Sequence, residues 1–472
     1  MKIPALLPML LVSSLALTAQ VEHAAVDRYI ESELSRQHIP GLALGIYRDG
    51  KIEYAKGYGL ANVELNVPVK PETIFQSGSV GKQFTATAIL MLVEQGRISL
   101  DDPITRYFPD APEFWKTIRI RNLLSHTSGL REYESEEMTR PGGPINMRAD
   151  YTEDQLVHII EKFPIDFPVG ERWAYRNTNY VLLGVILHQL TGKFYGDFLQ
   201  ERIFRPLGMA STRIISDIDI VPNRAAGYEL HDGQLKNQEW VSPTFNSTAD
   251  GALYFNVPDL ARWDEALYGE RLLKRSSLES MWTIMRLNNG RQNAGNYGFA
   301  WAISRLNGHR LVEHGGAWQG FTTYLGRYTD DKLTVVVLTN LDAGHSDPGV
   351  IGHHVAEMYI PGIAVAAARA LPEQDAKLRE FLQGVLRRAA QGSPDKNDFE
   401  PGYAETMTTE AIKRSAARMQ KFGDLKSLEF VGESRDADLR ELDCRATFAN
   451  AALLYRVYLN RDGKIARAVL YQ

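Results

Sequence analysis

The 472-residue sequence predicts an α/β protein: an antiparallel sheet flanked by helices, with an all-helical subdomain and a small C-terminal α+β module. Three observations carry that expectation. Two strand-like runs joined by Asp49-Gly50 lie near the start, helical periodicity dominates from the run at 82–95 to about residue 290, and strand patterns return between residues 297 and 340. A composition of 44% hydrophobic and 24% charged residues suits a large buried core and excludes a disordered or collagen-like chain.

Taken in order, Lys2 is followed by an apolar run over residues 3–17 and then by Thr18, Ala19 and Gln20, the pattern of a signal peptide over residues 1–19. Pro4 and Pro8 interrupt the run, which is short for a bilayer span of about 20 residues. Leu17 is a poor small residue for cleavage after Ala19, which leaves an uncleaved anchor as the alternative. The expected mature chain is exported, secreted or periplasmic, with no stable transmembrane span after processing. Apolar spacing predicts a helix over 24–37, stopped by Pro40-Gly41, then strands over 42–47 and 52–58 around the Asp49-Gly50 turn. Residues 82–95 are apolar on nearly every side, so this helix belongs at the centre of the fold, and Gly96 ends it.

Further helices are expected over 153–162, 181–190 and 257–267, separated by loops rich in Pro, Gly and charge. Strands follow over 297–306, 310–313, 321–328 and 333–340, then a closing helix over 350–359. An Ala-rich stretch over 364–372 reads as a linker or the tail of a helix. It divides a main domain, residues 20–365, from a module over 372–472 with two helices and four strands, a size that can carry its own core.

Charge and cysteine content narrow the function. Lys and Arg total 53 against 58 Asp and Glu, a net charge of −5, so no basic excess exists to neutralise nucleic acid. The single cysteine, Cys444, forms no intramolecular disulfide and alternates with apolar strand residues as a small buried side chain would. His345, His353 and His354 lack a His-Glu-x-x-His pattern, and neither metal nor cofactor is expected.

Three motifs carry chemistry. In Ser79-Val80-Gly81-Lys82 the spacing puts a hydroxyl and an amine on one helix face, one turn apart, at the start of the buried helix. A serine needs a base to become nucleophilic, and an ammonium in an apolar helix needs a partner or a function. The bland alternative is an N-cap serine with a solvated lysine. Tyr175-Arg176-Asn177 supplies a phenol able to move protons and an amide able to hold a carbonyl or the lysine, or else an aromatic staple and a helix cap. His314-Gly315-Gly316-Ala317 supplies two glycines that admit close backbone approach and an N–H beyond them, or else an ordinary loop after an edge strand. The acidic run over 132–137 reads as a solvated loop that in such a fold could line the cleft entrance.

In this order the three motifs resemble those of the serine β-lactamase and penicillin-binding protein superfamily. Leu123-Leu124-Ser125-His126-Thr127-Ser128-Gly129-Leu130, Ile203-Phe204-Arg205-Pro206-Leu207-Gly208-Met209 and Tyr297-Gly298-Phe299-Ala300-Trp301 are similar to the class C β-lactamase-related branch, which includes esterases and D-aminopeptidases. The resemblance covers about residues 25–360. It implies a β-lactamase/transpeptidase-like fold, acylation of Ser79, and proton transfers shared by Lys82 and Tyr175. Substrate binding falls to Asn177, His314, Gly315, Gly316 and Ala317, with the N–H groups of Ser79 and Ala317 as oxyanion hole. The implied partner is a small-molecule or peptide substrate with an amide or ester bond.

Two departures stand out. His314, mostly neutral near pH 7, occupies a position usually held by lysine, which counts against strong β-lactamase activity. Arg176 replaces a common serine; it either supplies the missing charge or points to solvent. The competing readings are a true β-lactamase and a non-catalytic envelope scaffold.

Overall fold

The computed structural model describes residues 22–372 and 375–471; the segment read as a signal peptide lies outside the described residues. A seven-stranded antiparallel sheet runs in the order Val67–Pro68, Lys51–Asn62, Gly41–Arg48, Leu333–Thr339, Phe321–Tyr328, His309–Trp318, Ala302–Leu306. The early hairpin therefore sits beside the last strand, with Leu42 opposite Thr339 and Arg48 opposite Leu333. Asp49 and Gly50 both adopt positive φ, 53° and 76°, the backbone a two-residue hairpin turn demands.

The central strands are buried on both faces. Ala43, Tyr47, Val336 and Leu338 join one core, while Leu42, Leu44, Ile46, Val335 and Val337 join the other. That two-sided burial explains why Leu333–Thr339 reads as an unbroken apolar run rather than an alternating one. Helices His23–Gln37 and Pro348–Tyr359 cover one face, contributing Val26, Ile30, Ile351 and Val355. The other face carries the large helical core around Lys82–Glu94, buried continuously from Lys82 to Leu92.

A buried ion pair ties that core to the sheet. Asp264, from the helix Val257–Ala266, accepts from Arg327 Nε at 2.6 Å and Thr334 Oγ1 at 2.8 Å, and both charged side chains are fully buried. The guanidinium lies over Tyr268 and Trp282, 4.6 and 5.2 Å from their ring centroids.

The C-terminal segment forms a four-stranded antiparallel sheet, Leu425–Asp436, Leu439–Phe448, Ala452–Leu459 and Ile465–Tyr471. Its core draws Leu382 and Leu386 from the helix Ala376–Ala390 and Met419 from Thr409–Gln420 onto Leu442, Cys444 and Val457. Cys444 is fully buried, and burial pushes its thiol above its usual range. This segment grips the loop over residues 286–297. Arg291 bonds Asp438 and Glu400 at 2.8 Å, Arg286 meets Asp436 at 3.0 Å, and Arg467 donates to the Asn293 carbonyl at 3.0 Å.

Several expectations need correction. The strand expected from 297 begins at Ala302, because Asn296 and Ala300 take positive φ and Asn293 Nδ2 ties up the Tyr297 carbonyl at 2.7 Å. The strand expected to end at 313 runs on to Trp318, so the His-Gly-Gly motif lies inside a strand and not after one. The helix expected from 181 starts at Asn177. Within the stretch read as helical lie a hairpin, Tyr228–His231 with Gln234–Asn237, and two short strands, Arg213–Ile214 and Leu253–Phe255, which pair with each other, the second also with Phe75–Gln76 upstream of that stretch. Among the described residues no helix is long and apolar enough to cross a membrane.

Removing one member of a buried pair strands the other charge. Asp264→Ala is expected to lower unfolding free energy by about 3–5 kcal/mol. The double variant Asp264→Leu, Arg327→Met should recover most of that loss; chemical denaturation of the three proteins checks it.

Candidate active site

Strand order places the site. The chain leaves Phe75–Gln76 into a tight turn, Gly78–Gly81, and continues without a break into the helix Lys82–Glu94. Ser77 anchors the turn: its N–H donates to the Leu253 carbonyl at 2.8 Å, its hydroxyl to the Gly251 carbonyl at 2.7 Å, and its carbonyl accepts from Thr323 Oγ1 at 2.7 Å. Between residues 73 and 92 Ser79 is the one residue that is not buried. Of this segment, the fold thus presents the Ser79 hydroxyl to the cleft.

Glycine is required where this turn meets the strand His309–Trp318. A Cβ on Gly316 would sit 2.2 Å from the Ser77 carbonyl oxygen and 3.0 Å from Ser79 N. At Gly78, φ is +49° and a Cβ would fall 2.3 Å from Ala317 N. Backbone atoms cannot yield to such contacts, so the two N–H groups named in the sequence, Ser79 and Ala317, are brought to one place only because neither glycine has a side chain.

Lys82 is fully buried and donates to three acceptors, the number an ammonium can satisfy: Ser79 Oγ at 2.9 Å, Asn177 Oδ1 at 2.7 Å and the Asp250 carbonyl at 2.5 Å. Its nitrogen lies 4.9 Å from the Tyr175 ring centroid. The Tyr175 hydroxyl is buried without a hydrogen bond of ordinary length. Burial raises its pKa, and the nearby Lys82 and Ser79 oppose that rise.

Asn177 opens the helix Asn177–Thr191 because Glu132 Oε2 accepts its N–H at 2.5 Å, a carboxylate on the positive end of the helix. This fixes the amide side chain between Lys82 and Glu134 Oε2, which accepts from Asn177 Nδ2 at 2.7 Å. Arg176 turns aside: it bonds Asp166 Oδ2 at 3.1 Å, and Arg131 shares the same carboxylate.

His314 is buried, its Nδ1 2.5 Å from the Gly315 carbonyl and its Nε2 2.7 Å from the Tyr297 hydroxyl. The carbonyl calls for Nδ1–H, which leaves Nε2 to accept from the phenol, so the ring is neutral. Burial and then the Lys82 charge depress its pKa to about 4. His126 packs on Tyr175 at 4.2 Å between centroids and is likewise fully buried, its pKa held far below the usual range by burial and by Lys82.

Two cavities meet at Ser79. One of about 30 Å³ is lined by Glu134, Asn177, Asp250 and Trp318; another of about 520 Å³ is lined by Tyr175, His314, Gly315, Gly316 and Ala317. A larger space of about 1140 Å³ lies between the main sheet's edge and the C-terminal sheet and contains none of the motif residues.

The family model for Beta-lactamase matches residues 26–359. The chain belongs to this family. It is 33% identical over 304 residues to Penicillin-binding protein 4* of Bacillus subtilis, covering 62% of this chain and 66% of that protein. It is 28% identical over 336 residues to Protein flp of Staphylococcus aureus, covering 70% and 65%. The chain thus spans just under two thirds of the length of these curated relatives. Among solved structures, the octameric penicillin-binding protein homologue of Pyrococcus abyssi aligns with TM-score 0.63 and 23% identity over 96% of this chain and 100% of that one, a likeness of fold. The D-amino acid amidase of Ochrobactrum anthropi SV3 gives TM-score 0.61 and 26% identity over 72% and 98%.

In this β-lactamase-family chain the structure brings Ser79, Lys82, Tyr175, Asn177, His314, Gly315, Gly316 and Ala317 to one cleft, whereas Arg176 turns away to Asp166. The structure adds Glu132, Tyr133, Glu134 and Asp250, and the buried rings of His126, Tyr180 and Tyr297. The expectation that residues 132–137 form a solvated loop holds for Glu137, paired with Arg131 at the surface, and fails for Glu132 and Glu134, which bond Asn177. The sequence signal is the acidic run itself, whose other reading puts it at the cleft entrance, where Glu134 lies. The three late histidines separate, His345 toward Asp342, His353 toward Glu313 and His354 toward Glu357.

His314 titrates near pH 6.5 in an unfolded chain and near pH 4 here. Between those values only the unfolded chain takes up the proton, so stability intact above pH 6.5 falls as the pH drops toward 4, by about 3 kcal/mol from this group. Denaturation of wild type and His314→Gln between pH 7 and pH 4 checks it, with a shallower decline expected for the variant.

Proposed function

We propose that the protein is an exported serine hydrolase of the Ser-x-x-Lys type that cleaves an amide, peptide or ester bond through an acyl-enzyme on Ser79. The observation that carries this reading is the contact of 2.9 Å between a wholly buried Lys82 ammonium and the one hydroxyl its segment exposes. With the Lys82–Tyr175 pair one proton short, as the Lys82 amine or the Tyr175 phenolate, Ser79 Oγ attacks the scissile carbonyl, its proton fills that vacant site, and the pair returns it to the departing amine or alcohol. Water then attacks the acyl carbon with the same pair accepting its proton, restoring Ser79. The N–H groups of Ser79 and Ala317 stabilise the tetrahedral oxyanion, each worth about 3–4 kcal/mol in comparable sites. Asn177 offers its remaining N–H to the substrate carbonyl.

The catalytic unit in this reading is residues 20–365, with residues 372–472 an accessory module. Substrate type follows from charge. Neither candidate cation of the motifs is free for a substrate carboxylate, because His314 is neutral and Arg176 is bound to Asp166. That favours the esterase or D-amino acid peptidase type, in keeping with the amidase of similar fold. A penicillin-recognising role is the second reading, favoured by the 33% identity to Penicillin-binding protein 4*.

A fluorophosphonate probe should label the protein, and Ser79→Ala should abolish labelling; labelling that survives refutes the assignment. Lys82→Ala should lower kcat/KM for a p-nitrophenyl ester by about 10²–10⁴-fold. Nitrocefin should turn over far more slowly than the ester; efficient turnover would favour the second reading.

A further inference from the structure

The Tyr133 hydroxyl lies 2.9 Å from Glu134 Oε1 and also 2.9 Å from Asp250 Oδ2. A phenol carries one hydrogen and an ionised carboxylate only accepts, so the two contacts are both hydrogen bonds only when one carboxyl carries a proton and donates it to the phenol oxygen. Glu132 is not that carboxyl: its oxygens are taken by backbone N–H groups, Oε2 by Asn177 at 2.5 Å and Oε1 by Glu134 at 3.3 Å. Two owners remain. The Lys82 ammonium is bonded directly to the Asp250 backbone and reaches Glu134 only through Asn177, which puts the positive charge at the Asp250 end of the chain. At the other end, burial together with the facing carboxylates of Asp250 and Glu132 pushes the Glu134 carboxyl up to about 8.

We propose that Glu134 is kept protonated, donating along Glu134–Tyr133–Asp250, and that this neutral carboxyl is the positioning residue that holds the Asn177 oxygen on Lys82. Its free carbonyl oxygen, Oε2, takes one Asn177 Nδ2 hydrogen at 2.7 Å, while Asn177 Oδ1 takes one from Lys82 at 2.7 Å. A flipped amide would set Nδ2 against the ammonium. The groups facing Glu134 are Asp250, Glu132 and Tyr133, with Lys82 one amide beyond. Loss of the proton leaves two carboxylates on one phenol, one contact of 2.9 Å unbonded, and a new negative charge in the cavity that Ser79 lines. The carboxylate still accepts from Asn177 Nδ2, but its charge opposes the oxyanion that must form on the substrate beside Ser79.

This inference rests on the acyl-enzyme reading of Ser79, and its test separates the two. The first arm measures kcat/KM against pH on p-nitrophenyl acetate for wild type, Glu134→Gln and Glu134→Ala. Glutamine mimics the protonated acid, with a permanent donor for Tyr133 and an acceptor for Asn177. Wild type should lose about tenfold per pH unit above about 8, Glu134→Gln should lack that limb, and at pH 7 it should exceed Glu134→Ala by at least about tenfold. The second arm is the infrared carboxylic acid C=O stretch, expected in wild type at about pH 6, lost at about pH 10 and missing from Glu134→Gln. An unchanged limb in Glu134→Gln, equal activity of the two variants, or a band untouched by the substitution overturns the proposal. If wild type shows no Ser79-dependent hydrolysis, the acyl-enzyme reading has failed instead, and the infrared arm still decides where the proton resides.

Discussion

One buried ammonium organises the molecule. Desolvating a lysine costs several kcal/mol unless its three hydrogens find acceptors, and Lys82 finds them on three separate parts of the chain: its own turn, the helix at Asn177 and the loop at Asp250. Those parts converge because the hairpin at residues 41–62 pairs with the last strand, which carries the turn at Ser79 against the strand His309–Trp318. The same charge reaches outward electrostatically, helping to hold His126 and His314 neutral. Sheet order, helix packing and ring protonation are thus coupled through one nitrogen.

Much of this was legible from local pattern. The i, i+3 spacing of Ser79 and Lys82, the all-round apolarity of the helix that follows, and the Asp49-Gly50 turn are properties of neighbouring residues, and neighbouring residues are what periodicity reads. The Val-rich strand at 333–339 was equally plain because both its faces are covered. What stayed hidden depends on residues far apart. Asp250 meets Lys82 across 168 positions and nothing in its own surroundings announces that; Glu132 lies in an acidic run able to line the cleft, but its part as a helix cap 45 positions away depends on the fold.

The extended strand at His309–Trp318 shows the same limit from the other side. Gly315 and Gly316 look like loop residues when weighed alone, yet Gly316 is where two backbones pass too closely for any side chain. Propensity favoured ending the strand; tertiary approach extended it. The start of the helix at Asn177, three positions before its first buried tyrosine, has a comparable origin in a carboxylate supplied by another loop.

The grip of the C-terminal sheet on residues 286–297 joins remote parts of the chain. Arg467 bonds the Asn293 carbonyl, Asn293 Oδ1 accepts the Tyr297 N–H, and the Tyr297 phenol donates to His314 Nε2. Damage more than 150 residues downstream of the imidazole would therefore masquerade as a fault at the cleft: a tailpiece that looks dispensable acts as a tuning peg for the ring beside Ser79.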